Sequence, residues 1–146
     1  MPQMGFLSGR TKFIKVEDHT TAGTSAVESA TVDMAQDGGY EGVVFLTSFG
    51  TAATDNTAEV AQSSDDSSFD DLVGSKVASG SSDEDVWIDV FRPQERYLRM
   101  QVARGTSSTL ESIWAVLYNP RKVPVDNTTS GTIIGEAHNS PIEGTA

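Results

Sequence analysis

The chain has 146 residues, 37% hydrophobic and 21% charged, with no cysteine, two histidines and a net charge of −11. That length fits one core rather than separate cofactor and substrate lobes, and the lack of cysteine excludes a disulfide scaffold, a thiolate nucleophile, thiolate zinc sites and iron–sulfur clusters. His19 and His138 stand far apart outside any H-x-x-H or H-E-x-x-H spacing, the excess of 21 acids over 10 bases opposes binding to nucleic acid or anionic membranes, and no segment approaches the roughly 20 apolar residues of a bilayer span.

The first ten residues lack a basic n-region and a long apolar h-region, so an unexported, soluble chain is expected. Residues 1–11 carry no strand pattern and read as an N-terminal arm with Phe6, Leu7 and Arg10. Residues 12–16 begin the patterned region as a short strand, with Ile14 and Val16 on one face. Residues 25–36 are ambiguous: Ser25 and Glu28 match a capping box with Gly38-Gly39 as a stop, but Ala30, Val32 and Met34 alternate, and the strand reading is preferred. Residues 40–49 are apolar on both faces and dense in β-branched and aromatic side chains, the mark of a central strand. Residues 67–74 could form one helical turn, with Ser67 or Ser68 as cap and Gly74 as stop.

Three strands follow. In residues 85–91, Val86, Ile88 and Val90 point one way and Asp85, Trp87, Asp89 and Phe91 the other; in residues 97–103, Leu98, Met100 and Val102 point inward; residues 113–118 are apolar on both sides. Arg92-Pro93-Gln94-Glu95 and Gly105-Thr106-Ser107-Ser108 supply the turn chemistry between them. Short strands with regular turn signals and no long amphipathic helix predict an all-β fold, a single antiparallel sandwich or barrel with jelly-roll or Greek-key connections over residues 12–122. Val43, Phe45, Leu46, Ile88, Val90, Leu98, Met100 and Val102 should form its core. Residues 123–146 are polar and interrupted by Gly and Pro; they read as an extended C-terminal arm whose Ile133, Ile134 and Ile142 lack a local core and suggest an absent surface.

Charge is unevenly placed. Residues 17–91 hold sixteen acids against Lys76 alone, whereas residues 92–122 hold six bases against Glu95 and Glu111. The late arginines either pair with the early acids or form a basic contact face; Arg92, Arg96 and Arg99 are candidates for that face, and at least one should hold a carboxylate bidentately. The acidic runs at Asp65-Asp66, Asp70-Asp71 and Asp83-Glu84-Asp85 miss the D-x-[DN]-x-[DN]-G calcium spacing and read as solvated loops. No phosphate loop, dinucleotide fingerprint or nucleophile elbow occurs, and the Asn127-Thr128-Thr129 sequon reads as chance. No catalytic, cofactor or metal site is expected, and no enzyme.

Four segments carry a likeness to known proteins: Gly39-Tyr40-Glu41-Gly42-Val43-Val44-Phe45, then Asp89-Val90-Phe91-Arg92-Pro93-Gln94-Glu95-Arg96-Tyr97-Leu98-Arg99, then Ala115-Val116-Leu117-Tyr118-Asn119-Pro120-Arg121-Lys122-Val123-Pro124, and the ending Ser140-Pro141-Ile142-Glu143-Gly144-Thr145-Ala146. The pattern resembles the capsid decoration, or cement, proteins of tailed bacteriophages, and it extends from about Lys12 to the last residue. What the resemblance implies is a β-sandwich that is made in the host cytoplasm, binds the outer surface of a virion head, staples neighbouring major capsid protein subunits and associates with itself as a dimer or trimer. Another head–tail or tail component is an alternative. A carbohydrate-binding module is a further one; it requires Trp87, Phe91, Tyr97, Trp114 or Tyr118 to be exposed together, whereas burial of most of them in the core is the preferred expectation.

Overall fold

Alternating side chains in residues 85–91 and 97–103 can bury one face only if a second sheet covers it, and the chain supplies that sheet. The computed structural model describes residues 5–52, 54–127 and 131–145. One sheet holds β1 (Lys12–Glu17), β5 (Tyr40–Ser48), β9 (Asp85–Phe91) and β12 (Ile113–Pro120) in the order β1-β12-β5-β9. In the other, β10 (Tyr97–Ala103) lies beside β6 (Asn56–Ser63); the short β3 (Val27–Glu28) and β4 (Val32–Asp33) flank β10, and β7 (Asp70–Asp71) and β8 (Val77–Ser79) flank β6. A two-stranded ribbon of β2 (Thr20–Gly23) and β11 (Ser108–Leu110) closes one end.

The pairings nest: β1 with β12, β2 with β11, β3 and β4 with β10, β5 with β9, and β6 with β7 and β8, all antiparallel. This is a long ribbon folded on itself and then rolled, so that β12 also meets β5 and β10 also meets β6. Rolling of this kind makes a jelly roll, the all-β sandwich expected from the strand pattern. Residues 92–96 therefore do not turn a hairpin; they carry the chain from one sheet to the other.

Val43, Phe45, Ile88, Leu98, Met100 and Val102 are buried between the sheets, joined by Val60, Ile113, Ala115 and Leu117. Two expected core members differ. Leu46 is 40% exposed because it is one residue out of phase with Val43 and Phe45 and lies on the outer face of β5, and Val90 is only partly buried against the cluster. Residues 25–36 contain two short strands and no capped helix. Residues 67–74 form no helical turn either: the Asp65 carboxylate accepts the N–H groups of Ser67 and Ser68 and the Ser63 hydroxyl, which fixes a local turn in place of a helix cap. Those donors hold the Asp65 carboxyl far below the usual carboxylate range. Phe69 then lies over the outer face of the second sheet with the Arg99 guanidinium 4.2 Å from its ring centre.

Candidate interaction surfaces

The outer face of the first sheet is built by register. Across it, Lys15, Trp114, Leu46 and Trp87 form one row; Phe13, Val116, Val44 and Asp89 form the next; Tyr118, Gly42 and Phe91 form a third. On a solvated face these positions would be polar, but most are apolar here. Trp87 is 67% exposed, Phe91 53% and Leu46 40%, while Trp114 and Tyr118 are half-buried. The preferred expectation that the aromatic residues would lie in the core is thus corrected: strand alternation turns Trp87, Phe91, Trp114 and Tyr118 outward together, and Tyr97 is set apart in the other sheet.

Gly42 shapes this face. A methyl group there would overlap the Tyr118 ring, so glycine lets Tyr118 lie across β5 and stack on Phe91, with ring centres 6.5 Å apart and planes 8° from parallel. The Tyr118 hydroxyl donates to Asp89 Oδ1 at 2.6 Å, and partial burial together with that carboxylate pushes its pKa up to about 12.

Both chain ends are tied to the body at their roots. Asn127 Nδ2 donates to the carbonyls of Ser8 and Thr11, both at 2.7 Å, while its Oδ1 accepts the N–H of Phe13 at 2.9 Å. The Val125 N–H donates to Gly9 O, and the Val125 side chain joins the core. Val125 and Asn127, both within the segment expected as an arm, are therefore held by the body. Thr128 and Thr129 of the sequon lie outside the described residues, and the Asn127 amide hydrogens are both engaged. A cleft of about 690 Å³ is lined by Phe6, Phe13, Trp114, Pro124, Ile133 and Ile134. Phe6 and Ile133 are half-buried there, whereas Leu7 is 72%, Ile134 88% and Ile142 94% exposed.

The arginines divide. Arg96 Nε and Nη2 hold both oxygens of Asp33 at 2.8 Å, the bidentate contact expected, made within the chain. Arg99 reaches Glu28 at 3.1 Å and donates to Gln101. Arg92 stands 3.9 Å from Glu41 and is well exposed, and Arg10 is exposed without an ion pair among the described residues. Arg104, which the sequence pattern did not single out, packs on Gly23 and donates to the carbonyls of Thr21, Ser25 and Ser108, holding the β2–β11 ribbon closed. Among the described residues, no group of three or more His, Cys, Asp or Glu side chains is placed to hold a metal ion. Asp55, Asp66 and Asp83 instead occupy positive-φ turns.

The hydrogen bonds from Arg96 hold the Asp33 carboxyl below its ordinary value. Folded Asp33 binds its proton more weakly than unfolded Asp33, so this contribution to stability is complete above about pH 4 and is lost as pH falls through the folded pKa. Arg96→Ala is expected to lower Tm at pH 7 by a few degrees at most, because the pair is solvent-facing. Thermal melts between pH 2 and 7 check this: the difference from wild type should shrink toward the acid end, and a difference that grew there would contradict the assignment.

No family model and no curated protein sequence matches the chain. Among solved structures, the SPBc2 prophage-derived protein YomS is similar at 12% identity over 73% of this chain and 97% of that one, with a TM-score of 0.45. The Tobacco streak virus coat protein is similar at 10% identity over 88% of this chain and 99% of that one, with a TM-score of 0.40. At these values the likenesses carry no functional weight.

Proposed function

We propose that the chain is a structural virion protein, a decoration protein that binds the outer surface of a phage head and staples neighbouring major capsid protein subunits, with no catalytic turnover. The observation that carries this reading is the apolar outer face of the first sheet, where Leu46, Trp87 and Phe91 are exposed on a rigid jelly roll. Exposed aromatic side chains on a fixed strand lose little conformational freedom on docking and are the usual energetic centres of protein interfaces. The acidic surface suits the outside of a shell, since packaged nucleic acid would repel it. Arms tied down at Val125 and Asn127 could then reach across a subunit boundary from a fixed origin.

Trp87→Ala tests the reading. Because Trp87 is 67% exposed, its replacement should leave the melting temperature within a degree or two, while removing a central aromatic contact should weaken binding to heads about 30-fold, equivalent to roughly 2 kcal/mol. Sedimentation of the protein with heads that lack it measures this. Unchanged binding would remove the face from the interface.

A second reading is favoured by one observation. Trp87, Phe91 and Tyr118 share a face with the Asp85 and Asp89 carboxylates, which is the platform that a carbohydrate-binding module needs. Titration with soluble oligosaccharides, followed by tryptophan fluorescence, separates the two: saturable quenching lost in Trp87→Ala supports sugar binding, and its absence leaves the protein-binding reading alone.

A further inference from the structure

The segment from Phe6 to Arg10 is a wall between two depressions. Phe6 and Ser8 face the cleft occupied by Ile133, while Leu7 and Arg10 face a separate groove of about 610 Å³ at the end of the first sheet where β5 begins and β12 ends. Leu7, Tyr118, Pro120 and Val123 give this groove apolar surface, and Leu7 and Val123 are 72% and 48% exposed. Arg10 and Arg121 line it as well; both are exposed and neither forms an ion pair among the described residues. The one carboxylate among the described residues that line the groove, Glu41, is already near Arg92 at 3.9 Å and accepts from Asn119 at 3.3 Å. The groove therefore combines an apolar floor with unneutralised positive charge in a chain whose net charge is −11.

The complementary chemistry lies on the same chain. Pro141-Ile142-Glu143 places a branched apolar side chain beside a carboxylate, after a proline that favours an extended backbone. Ile142 is 94% exposed and Glu143 is exposed, so the chain's own body covers neither. None of the described tail residues lines this groove: Ile133 to Ala137 line the cleft on the other side of the wall together with Phe6 and Trp114, and Leu7 and Ile142 of one chain both remain open to solvent.

We propose that this groove receives residues 141–143 of a second copy, with Ile142 seated between Leu7 and Val123 and the Glu143 carboxylate held by Arg10 and Arg121. Charge complementarity favours this occupant, because a cationic groove repels the basic segments of the chain, while Ile142 and Glu143 offer an exposed apolar side chain next to a carboxylate on an extended tail that can reach another copy. The contact joins two different patches, so it is heterologous: successive copies either close into a ring or extend as a filament. The inference goes beyond the decoration reading and needs no capsid. A chain that bound heads without associating with itself would refute it and leave that reading intact.

Sedimentation equilibrium on the full chain, from micromolar to millimolar concentration, tests the proposal. Wild type should associate reversibly, and more weakly as salt rises. Ile142→Asp should weaken association at least tenfold, as should Glu143→Arg and Arg121→Glu separately. Combining Glu143→Arg with Arg121→Glu should restore it, since the pair is rebuilt with opposite polarity. All three positions are exposed, so thermal melts should match wild type and separate loss of contact from loss of fold. A monomer at every concentration, association indifferent to Ile142→Asp, or a double variant no better than the single ones would each overturn it.

Discussion

Phe45→Ala is expected to lower the unfolding free energy by about 3–5 kcal/mol and the melting temperature by roughly 10 °C or more. Phe45 is fully buried in the middle of β5, between Ala115 of β12 and Ile88 of β9, and it faces the second sheet. A cavity there should collapse little, because the core cluster that Phe45 shares with Val43, Leu98 and Met100 is held by strands on both sides of the sandwich. The adjacent Leu46→Ala serves as the internal comparison. It removes a similar side chain from the outer face and should cost under about 1 kcal/mol. Chemical denaturation of both variants measures the difference, and equal costs would mean that the two faces of β5 had been assigned wrongly.

Shortening the chain should show where the C-terminal arm begins. A chain ending at Asn127 keeps the buried Val125 and all three bonds of the Asn127 amide; among the described residues it removes Ile133 to Ala137 from the lining of the cleft, of which only Ile133 is half-buried, so it should lose about 1–2 kcal/mol. A chain ending at Pro124 also loses a buried valine and three hydrogen bonds that satisfy the carbonyls of Ser8 and Thr11 and the N–H of Phe13. Its cost should be at least about 3 kcal/mol, with the start of β1 freed. Thermal melts of the two truncated chains distinguish them. If the arm carries partner binding, the chain ending at Asn127 should also lose occupancy on capsids while it stays folded; undiminished occupancy would assign that binding to the sheet face alone.

The legible part of the fold was the part in which one strand face meets the core. Alternation in β9 and β10 identifies Val86, Ile88, Leu98, Met100 and Val102 because water and core impose opposite chemistry at successive residues. Strand β6, the centre of the second sheet, was not legible. Its buried residues are Asn56, Ala58, Val60, Ala61 and Ser63, small or polar side chains that give no hydrophobic period. Ala61 is covered from outside because Arg99 and Phe69 lie over that face, and the Asn56 amide oxygen accepts the N–H of Gly105; neither circumstance is written in local sequence. The β2–β11 ribbon was missed for a similar reason: it is held by Arg104 and by pairing between residues some ninety positions apart.

The same division holds for the candidate surfaces. Sequence by itself determined an all-β chain without cysteine, the strands whose alternation sets Trp87 and Phe91 opposite Ile88, and an arginine that must find a carboxylate, because each of these follows from side-chain period or composition. Only the tertiary structure decided that Trp87, Phe91, Trp114 and Tyr118 share one face, that Arg96 finds Asp33, and that Asn127 ties the two ends together. These depend on which strands become neighbours when the ribbon rolls, and that is fixed by long-range pairing that no local period encodes.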